Sequence, residues 1–119
     1  MLHDFVPPVN VFDCLNAAPD NFYLTGSQFF YGHGNDTDFY VQNRPGLSEW
    51  LISIGFRLHG SSNYSDTNCE AVYRHRKIDI QLVSDVTLKT KVQMWFKSKG
   101  ILNPTTEQWN LAFEFFRVE

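Results

Sequence analysis

Three aspartates have the residue type and the spacing for metal-ion chemistry. Asp36 and Asp38 are separated by one residue, and Asp79 lies inside a later apolar stretch. Alternate side chains of a strand point to opposite faces, so Asp36 and Asp38 should share one face. The same rule divides the later stretch into an apolar and a polar face, with Asp79 on the polar one. An aspartate in the middle of such a strand is typical of a face that is wet or carries a ligand.

The three carboxylates would form one patch if their two strands were neighbours in a sheet. Like charges at that distance raise one another's pKa, so the cluster would favour a bound cation. Carboxylate oxygens suit Mg²⁺ or Mn²⁺, which usually also bind waters and substrate phosphates. The pattern therefore predicts a metal site formed by Asp36, Asp38 and Asp79, of the kind used in phosphoryl chemistry.

Simpler interpretations of Asp36 and Asp38 remain open from the residues alone. They could form a polar turn after Gly34 and Asn35, solvated or capping the chain. An EF-hand loop is excluded, because no ladder of oxygen ligands with a closing Glu follows. A glycosyltransferase Asp-x-Asp motif is possible, but those catalytic domains are much larger than this chain of 119 residues.

Short strands and amphipathic helices alternate along the chain and must position these aspartates. Strands are predicted at residues 22–25, 36–42, 56–59, 69–75 and 77–83, with a helical turn at 28–31 and a polar loop at 60–68. Helices are predicted at residues 11–17, 47–54, 85–100 and after Pro104, with Asn10, Asp85 and a Thr105–Gln108 capping box at their starts. The predicted order is α-β-α-β-α-β-β-β-α-α. It indicates one α/β or α+β domain over residues 1–119, with a mixed sheet of about four to five strands and helices packed on it.

Composition and charge limit the partners. The net charge of −3 and the isoelectric point of about 5.7 lack the basic excess of proteins that grip duplex DNA. The first residues resemble neither a signal nor a transit peptide, and no apolar run is long enough to span a bilayer. We therefore expect a cytoplasmic protein without a membrane partner. Cys14 and Cys69 form no CxxC pair and are expected to be free thiols.

The ordered motifs together resemble the nucleotidyltransferase-fold (polymerase-β-like) superfamily. The resemblance spans residues 22–84, about half the chain, and rests on Tyr23-Leu24-Thr25-Gly26-Ser27, then Asp36-Thr37-Asp38-Phe39, then Lys77-Ile78-Asp79-Ile80. The gap between Gly26-Ser27 and Asp36 is slightly short for the family, and Gly32-His33-Gly34 interrupts its helix. The chain also lacks the large C-terminal helical domain that polymerases use to hold acceptors, so it looks like a minimal member.

This resemblance implies a catalytic site and a reaction. Asp36, Asp38 and Asp79 would be the catalytic metal ligands, and Gly26 and Ser27 would approach the triphosphate of an NTP. The reaction would be Mg²⁺-dependent transfer of a nucleoside monophosphate to a hydroxyl of a small-molecule, protein or RNA acceptor. Some small members of the fold keep the acidic residues without known turnover. A catalytically inactive binding or inhibitory protein that acts through a protein partner is therefore the alternative.

Three lysines are further candidates for nucleotide binding. Lys77 would share a face with Asp79 in a regular strand, so it could meet a phosphate or pair with a carboxylate. By the same resemblance, Lys89 or Lys91 could touch the triphosphate, although lysines on a helix usually form its solvated face.

Aromatic residues also allow two interpretations. Phe29, Phe30 and Tyr31 could stack on a base or simply fill the core. Phe115 lies off the apolar stripe of the last helix, which indicates a homodimer or another partner contact.

Overall fold

The computed structural model describes residues 10–61 and 69–117 and has an α+β architecture. Five helices and five strands occur in these residues: α1 Val11–Ala17, β1 Tyr23–Thr25, α2 Gly26–Tyr31, β2 Thr37–Gln42, α3 Leu47–Ser53, β3 Arg57–Ser61, β4 Ala71–His75, β5 Ile78–Val83, α4 Val86–Ser98 and α5 Thr106–Arg117. Their order along the chain and the fold class are those predicted from the sequence. No helix in these residues is long and apolar enough to cross a membrane.

The strands form one mixed sheet in the order β1-β2-β5-β4-β3. β2 and β5 pair in parallel at its centre, and the other neighbours are antiparallel. The strands that carry Asp38 and Asp79 are therefore neighbours, as the sequence analysis assumed. A parallel pair requires a crossover, and here the chain between β2 and β5 contributes α3, β3 and β4.

One face of the sheet is covered by apolar packing. Alternate residues of β2 and β5 point to this face, and Val41, Ile80 and Leu82 are fully buried there against α3 and Leu15 of α1. Burial of each of these side chains stabilises the fold by about 1.5–3 kcal/mol, which fixes the register of both strands. Their intervening residues must then point to the opposite face, and Asp38 and Asp79 are among them.

The opposite face supports α2, α4 and α5. A second apolar cluster holds these helices together, with Phe30, Val92, Phe96, Ala112 and Phe113 buried at its centre.

A buried polar chain fixes β1 against α4. The Thr25 hydroxyl donates to Gln93 Oε1 over 2.7 Å, and Gln93 Nε2 donates to the Leu24 carbonyl over 2.9 Å. Both side chains are buried, so the loss of either partner would leave a costly unsatisfied group.

The predicted helix caps are confirmed. The backbone N–H groups of Phe12 and Leu88 donate to the side chains of Asn10 and Asp85 at 2.9 and 3.1 Å. In the predicted capping box, the N–H of Gln108 donates to the Thr105 hydroxyl, and the N–H of Thr105 donates back to Gln108 Oε1.

Element boundaries differ from the predictions where pairing and turns decide them. Pairing of β2 with β5 begins at Thr37, so Asp36 precedes the strand, and α2 begins two residues earlier than predicted. Lys77 lies in the β4–β5 turn rather than in the strand, while β3 continues to Ser61. Most of the predicted polar loop, residues 62–68, lies outside the described residues. Cys14 and Cys69 form no disulfide, as expected.

Candidate functional site

Asp38 and Asp79 lie side by side at the centre of the sheet. Asp38 on β2 is the register partner of Asp79 on β5, and Thr25 and Arg74 continue the same row on the flanking strands β1 and β4. Parallel strands are about 4.8 Å apart, so paired side chains on one face are close neighbours. The apolar residues on the other face of the sheet thus force two carboxylates together.

The proximity of the two carboxylates perturbs Asp38. The pKa of Asp38 is raised to about 6, mainly by burial and then by the charge of Asp79, a hydrogen bond to Asp79 in the protonated form, and the charge of Asp36. The positive charge of Arg74 opposes this shift. At neutral pH the protein therefore keeps an ionised, partly buried Asp38 at a cost in stability, and a cation beside it would relieve that cost.

Gly26 lies directly against Asp38. Its backbone has φ of +70°, and a Cβ atom there would overlap the Asp38 Oδ2 atom. Both features require glycine, because other residues rarely adopt positive φ and none could avoid the carboxylate. The Gly26–Ser27 turn is consequently held within contact of the carboxylate pair. Gly34 is similar, since its Cβ would overlap the Ser27 hydroxyl.

Arg74 links the two other acidic residues. Its Nη2 atom donates to Asp36 Oδ2 over 3.0 Å, and its Nε atom lies 3.3 Å from Asp79 Oδ1. Nε donates its hydrogen to the Arg76 carbonyl, so the contact with Asp79 is an ion pair without a hydrogen bond. Buried Asp79 Oδ1 accordingly has no hydrogen-bond partner among the described residues.

The carboxylates fit a divalent cation in part. Asp38 and Asp79 supply hard oxygen donors, mutual repulsion and an oxygen without a hydrogen bond. Mg²⁺ is commonly held by one or two carboxylates together with substrate phosphates, so this pair is a sufficient protein contribution. Asp36 faces Arg74 and would have to leave it to join the pair. In residues 10–61 and 69–117, no three or more His, Cys, Asp or Glu side chains are positioned to hold a metal ion among themselves.

A cleft of about 630 Å³ opens above this row, within the usual size range of small-molecule sites. Its floor is the sheet face formed by β2, β5 and β4, and its walls come from α2, the start of α5 and the loop before it. It is lined by Thr25, Gly26, Ser27, Phe30, Tyr31, Asp38, Tyr40, Val72, Asp79, Gln81, Leu102, Asn103, Pro104, Thr105, Thr106 and Trp109.

The predicted lysines do not line the cleft. Lys89 is buried in the protein, with its ammonium 4.7 Å from the Phe113 ring centre and 5.6 Å from that of Tyr40. Lys91 is exposed and lies over Phe116, and Lys77 is exposed in the β4–β5 turn. Asp36 is also outside the lining, at the edge of the acidic patch. Nucleotide binding by these lysines stays a prediction.

The sequence analysis did not assign a role to several residues of the cleft. Tyr40 and Gln81 follow Asp38 and Asp79 by two residues, and they form the next register pair on the same face of the sheet. The position of Arg74 beside Asp79 could have been predicted from the two-residue turn at Arg76 and Lys77. A hairpin with a turn of that length places Arg74 opposite Asp79. The wall that contains Trp109 carries no local signal, because it comes from a distant part of the chain.

No protein-family model, no curated protein and no solved structure matches the chain.

Proposed function

We propose that this protein is a minimal Mg²⁺-dependent nucleotidyltransferase, which transfers a nucleoside monophosphate from an NTP to a hydroxyl. One observation carries the proposal: Asp38 and Asp79 are adjacent on the floor of a cleft, directly beside the Gly26–Ser27 turn. Metal-dependent phosphoryl chemistry uses paired carboxylates at a site where a phosphate can come close to the protein backbone. The cleft provides both in a volume suited to a nucleotide.

The cation would be Mg²⁺ or Mn²⁺, held by Asp38 and Asp79, with Asp36 as a further ligand once it leaves Arg74. When bound, it would neutralise phosphate charge. Gly26 has no side chain to obstruct a phosphate beside Asp38, and Ser27 lines the same rim with a hydroxyl. The lysine nearest in sequence, Lys77, is exposed at the turn that precedes Asp79.

In the proposed reaction, the acceptor oxygen forms a bond to the α-phosphorus. The bond from that phosphorus to the oxygen bridging the α- and β-phosphates breaks, and pyrophosphate leaves with the electron pair. The proton of the acceptor hydroxyl passes to a carboxylate of the pair.

The position of Arg74 favours a second candidate function. Its guanidinium already supplies a positive charge to Asp36 and Asp79. A protein in which an arginine neutralises the carboxylates in place of a metal ion could keep the fold and bind a partner without catalysing a reaction. In that case the described site would stabilise the sheet, and the protein would act through a protein partner.

Product formation separates the two candidates. The assay incubates ATP, CTP, GTP and UTP, each labelled at the α-phosphate, with Mg²⁺ and pools of small-molecule, protein and RNA acceptors. Wild type is compared with Asp38→Asn and Asp79→Asn, which keep the side-chain shape and remove the charge. Asp13→Asn, an exposed position on α1, is the matched control.

The proposal predicts label transfer by wild type and Asp13→Asn, and a loss of at least about 100-fold in the two site variants. Equal transfer in all four proteins, or none by wild type with any acceptor pool, would refute it. The second candidate predicts that none of the four proteins transfers label. It also predicts that Asp38→Asn and Asp79→Asn still bind the protein partner.

The proposal also includes the setting of the reaction. A cytoplasmic location would give the protein access to NTPs and Mg²⁺. Its partners would be the nucleoside triphosphate and a small-molecule, protein or RNA acceptor, and a homodimer through the Phe115 side of α5 would leave the cleft open.

A further inference from the structure

Gln81 lines the cleft and carries a buried acceptor that no described residue uses. The side chain is 7% exposed, lies among the lining residues, and its Oε1 atom has no hydrogen-bond partner within residues 10–61 and 69–117. An unmet buried acceptor destabilises a fold, so such groups usually have a ligand or a function. The only other such oxygen in the described residues is Asp79 Oδ1, on the same strand and face.

The surroundings of Gln81 differ from those of the carboxylates. Its register partners are Tyr40 on one side and Val72 on the other, both buried. The lining of the cleft also includes the rings of Phe30 and Trp109 and the side chain of Leu102. The cleft floor therefore carries the carboxylates of Asp38 and Asp79 and, about 7 Å further along the strands, the unpaired acceptor of Gln81 between two buried residues.

We propose that Gln81 is a specificity-determining residue that accepts a hydrogen bond from the exocyclic amino group of a nucleobase. This inference rests on the proposed function and names the substrate class: nucleotides with an amino-substituted base. The base would lie beside Gln81, and the phosphates would lie at the carboxylates.

A nucleobase suits this part of the cleft better than a ribose does. A planar base buries apolar faces against rings such as Trp109 and needs few polar partners at its edge. A ribose has no flat apolar face, so it would gain less from contact with Phe30 and Trp109. A site that uses a buried polar group discriminates strongly against an analogue lacking the matching group, because the buried group is then left unpaired.

The test measures nucleotide binding by calorimetry, without any acceptor, so that it is independent of turnover. ATP is compared with purine riboside triphosphate, which lacks only the 6-amino group, and CTP with its analogue lacking the 4-amino group, each with Mg²⁺. Wild type is compared with Gln81→Met, which keeps side-chain length and removes the acceptor. Mn²⁺ binding and thermal unfolding of both proteins check that the carboxylates and the fold are intact.

We expect wild type to bind at least one amino-bearing nucleotide about tenfold more tightly than its analogue. Gln81→Met should bind the two members of that pair equally, with unchanged Mn²⁺ affinity. Binding without such a preference, or a preference that survives Gln81→Met, would overturn the inference and leave the proposed function standing. Binding of dATP, which lacks the ribose 2′-hydroxyl, is measured as well. If Gln81→Met weakened binding of ATP and of its analogue equally but left binding of dATP unchanged, Gln81 would bind the ribose, and the inference would be overturned. No binding of any nucleotide would overturn the inference and the proposed function together.

Discussion

Asp38 and Asp79 are register partners on the two central parallel strands, and burial of Asp38 together with the charge of Asp79 raises the pKa of Asp38 to about 6. The apolar residues that alternate with them are buried against α1 and α3. Neither aspartate can therefore move to the other face of the sheet without breaking the core. The protein maintains this repulsive pair at neutral pH, and each prediction below probes one consequence of it.

Asp38→Asn should stabilise the protein at pH 7 and above. The folded-state pKa of Asp38 is about 6 against an ordinary 3.8, so the folded state binds the proton more tightly than the unfolded state does. The contribution of Asp38 to stability is therefore lost as pH rises through 4–6. We expect the variant to be more stable by about 2–3 kcal/mol at pH 7, and the gain to vanish below pH 4. Urea unfolding across this pH range checks this, with Asp13→Asn as the control for loss of a surface carboxylate.

Divalent-cation binding should weaken as pH falls through 6. A cation held by Asp38 competes with its proton, so the affinity for Mn²⁺ should fall by up to about tenfold per unit below pH 6. Calorimetric titration with Mn²⁺ between pH 5 and 8 measures this slope. Asp79→Asn should abolish binding at every pH. Affinity that stays constant over this range would contradict a site that includes Asp38.

Gly26→Ala should damage both stability and the site, and Gly32→Ala is its matched control. Both glycines have positive φ, +70° and +80°, but a Cβ at Gly32 meets nothing within 4 Å. Both variants should lose about 1–2 kcal/mol from backbone strain. Gly26→Ala should lose further stability, because the new methyl group displaces the Asp38 carboxylate, and it should lose Mn²⁺ binding. Equal unfolding free energies and Mn²⁺ affinities in the two variants would contradict the close approach of Gly26 and Asp38.

Arg74→Met should raise the pKa of Asp38 above 6, since the positive charge of Arg74 lowers it. Both ion pairs of Arg74 are partly exposed, so we expect the stability to fall by no more than about 1 kcal/mol. Carbon-13 NMR titration of the Asp38 carboxyl group measures the pKa directly. Arg44→Met, which removes an arginine paired with Asp20, is the control and should leave the Asp38 titration unchanged. An unchanged titration in Arg74→Met would show that the guanidinium does not act on the pair.

Lys89 should make stability rise with pH in the alkaline range. Burial lowers the pKa of Lys89 to about 8 from an ordinary 10.5, so between these values the unfolded state binds more protons than the folded state. Stability should therefore increase from pH 8 to about 10.5, by about 2–3 kcal/mol for this group. The difference in unfolding free energy between wild type and Lys89→Met should change with pH by that amount. Lys91→Met, an exposed change two residues along α4, should show no such dependence.

Much of the fold was predictable because its signals are local. The apolar periodicity of α3 and α4, the caps at Asn10 and Asp85, and the Gly and Pro breaks each act over a few residues. They gave the element order correctly. The boundaries at Asp36 and Lys77 were wrong because strand ends depend on where the partner strand stops pairing, which alternation within one segment does not reveal.

The candidate site was likewise predictable only where its signals are local. Alternation within β5 alone determined that Asp79 and Gln81 share a polar face opposite Ile80, because side-chain direction in a strand is fixed by the backbone. Only the tertiary structure decided that Asp38 is the register partner of Asp79, that Arg74 lies between Asp36 and Asp79, and that Trp109 closes the cleft. These relationships join segments tens of residues apart, and burial of both faces of the sheet selects them. The polar face that carries Asp79 was therefore predictable from the sequence, whereas the neighbours of the three aspartates were set by packing.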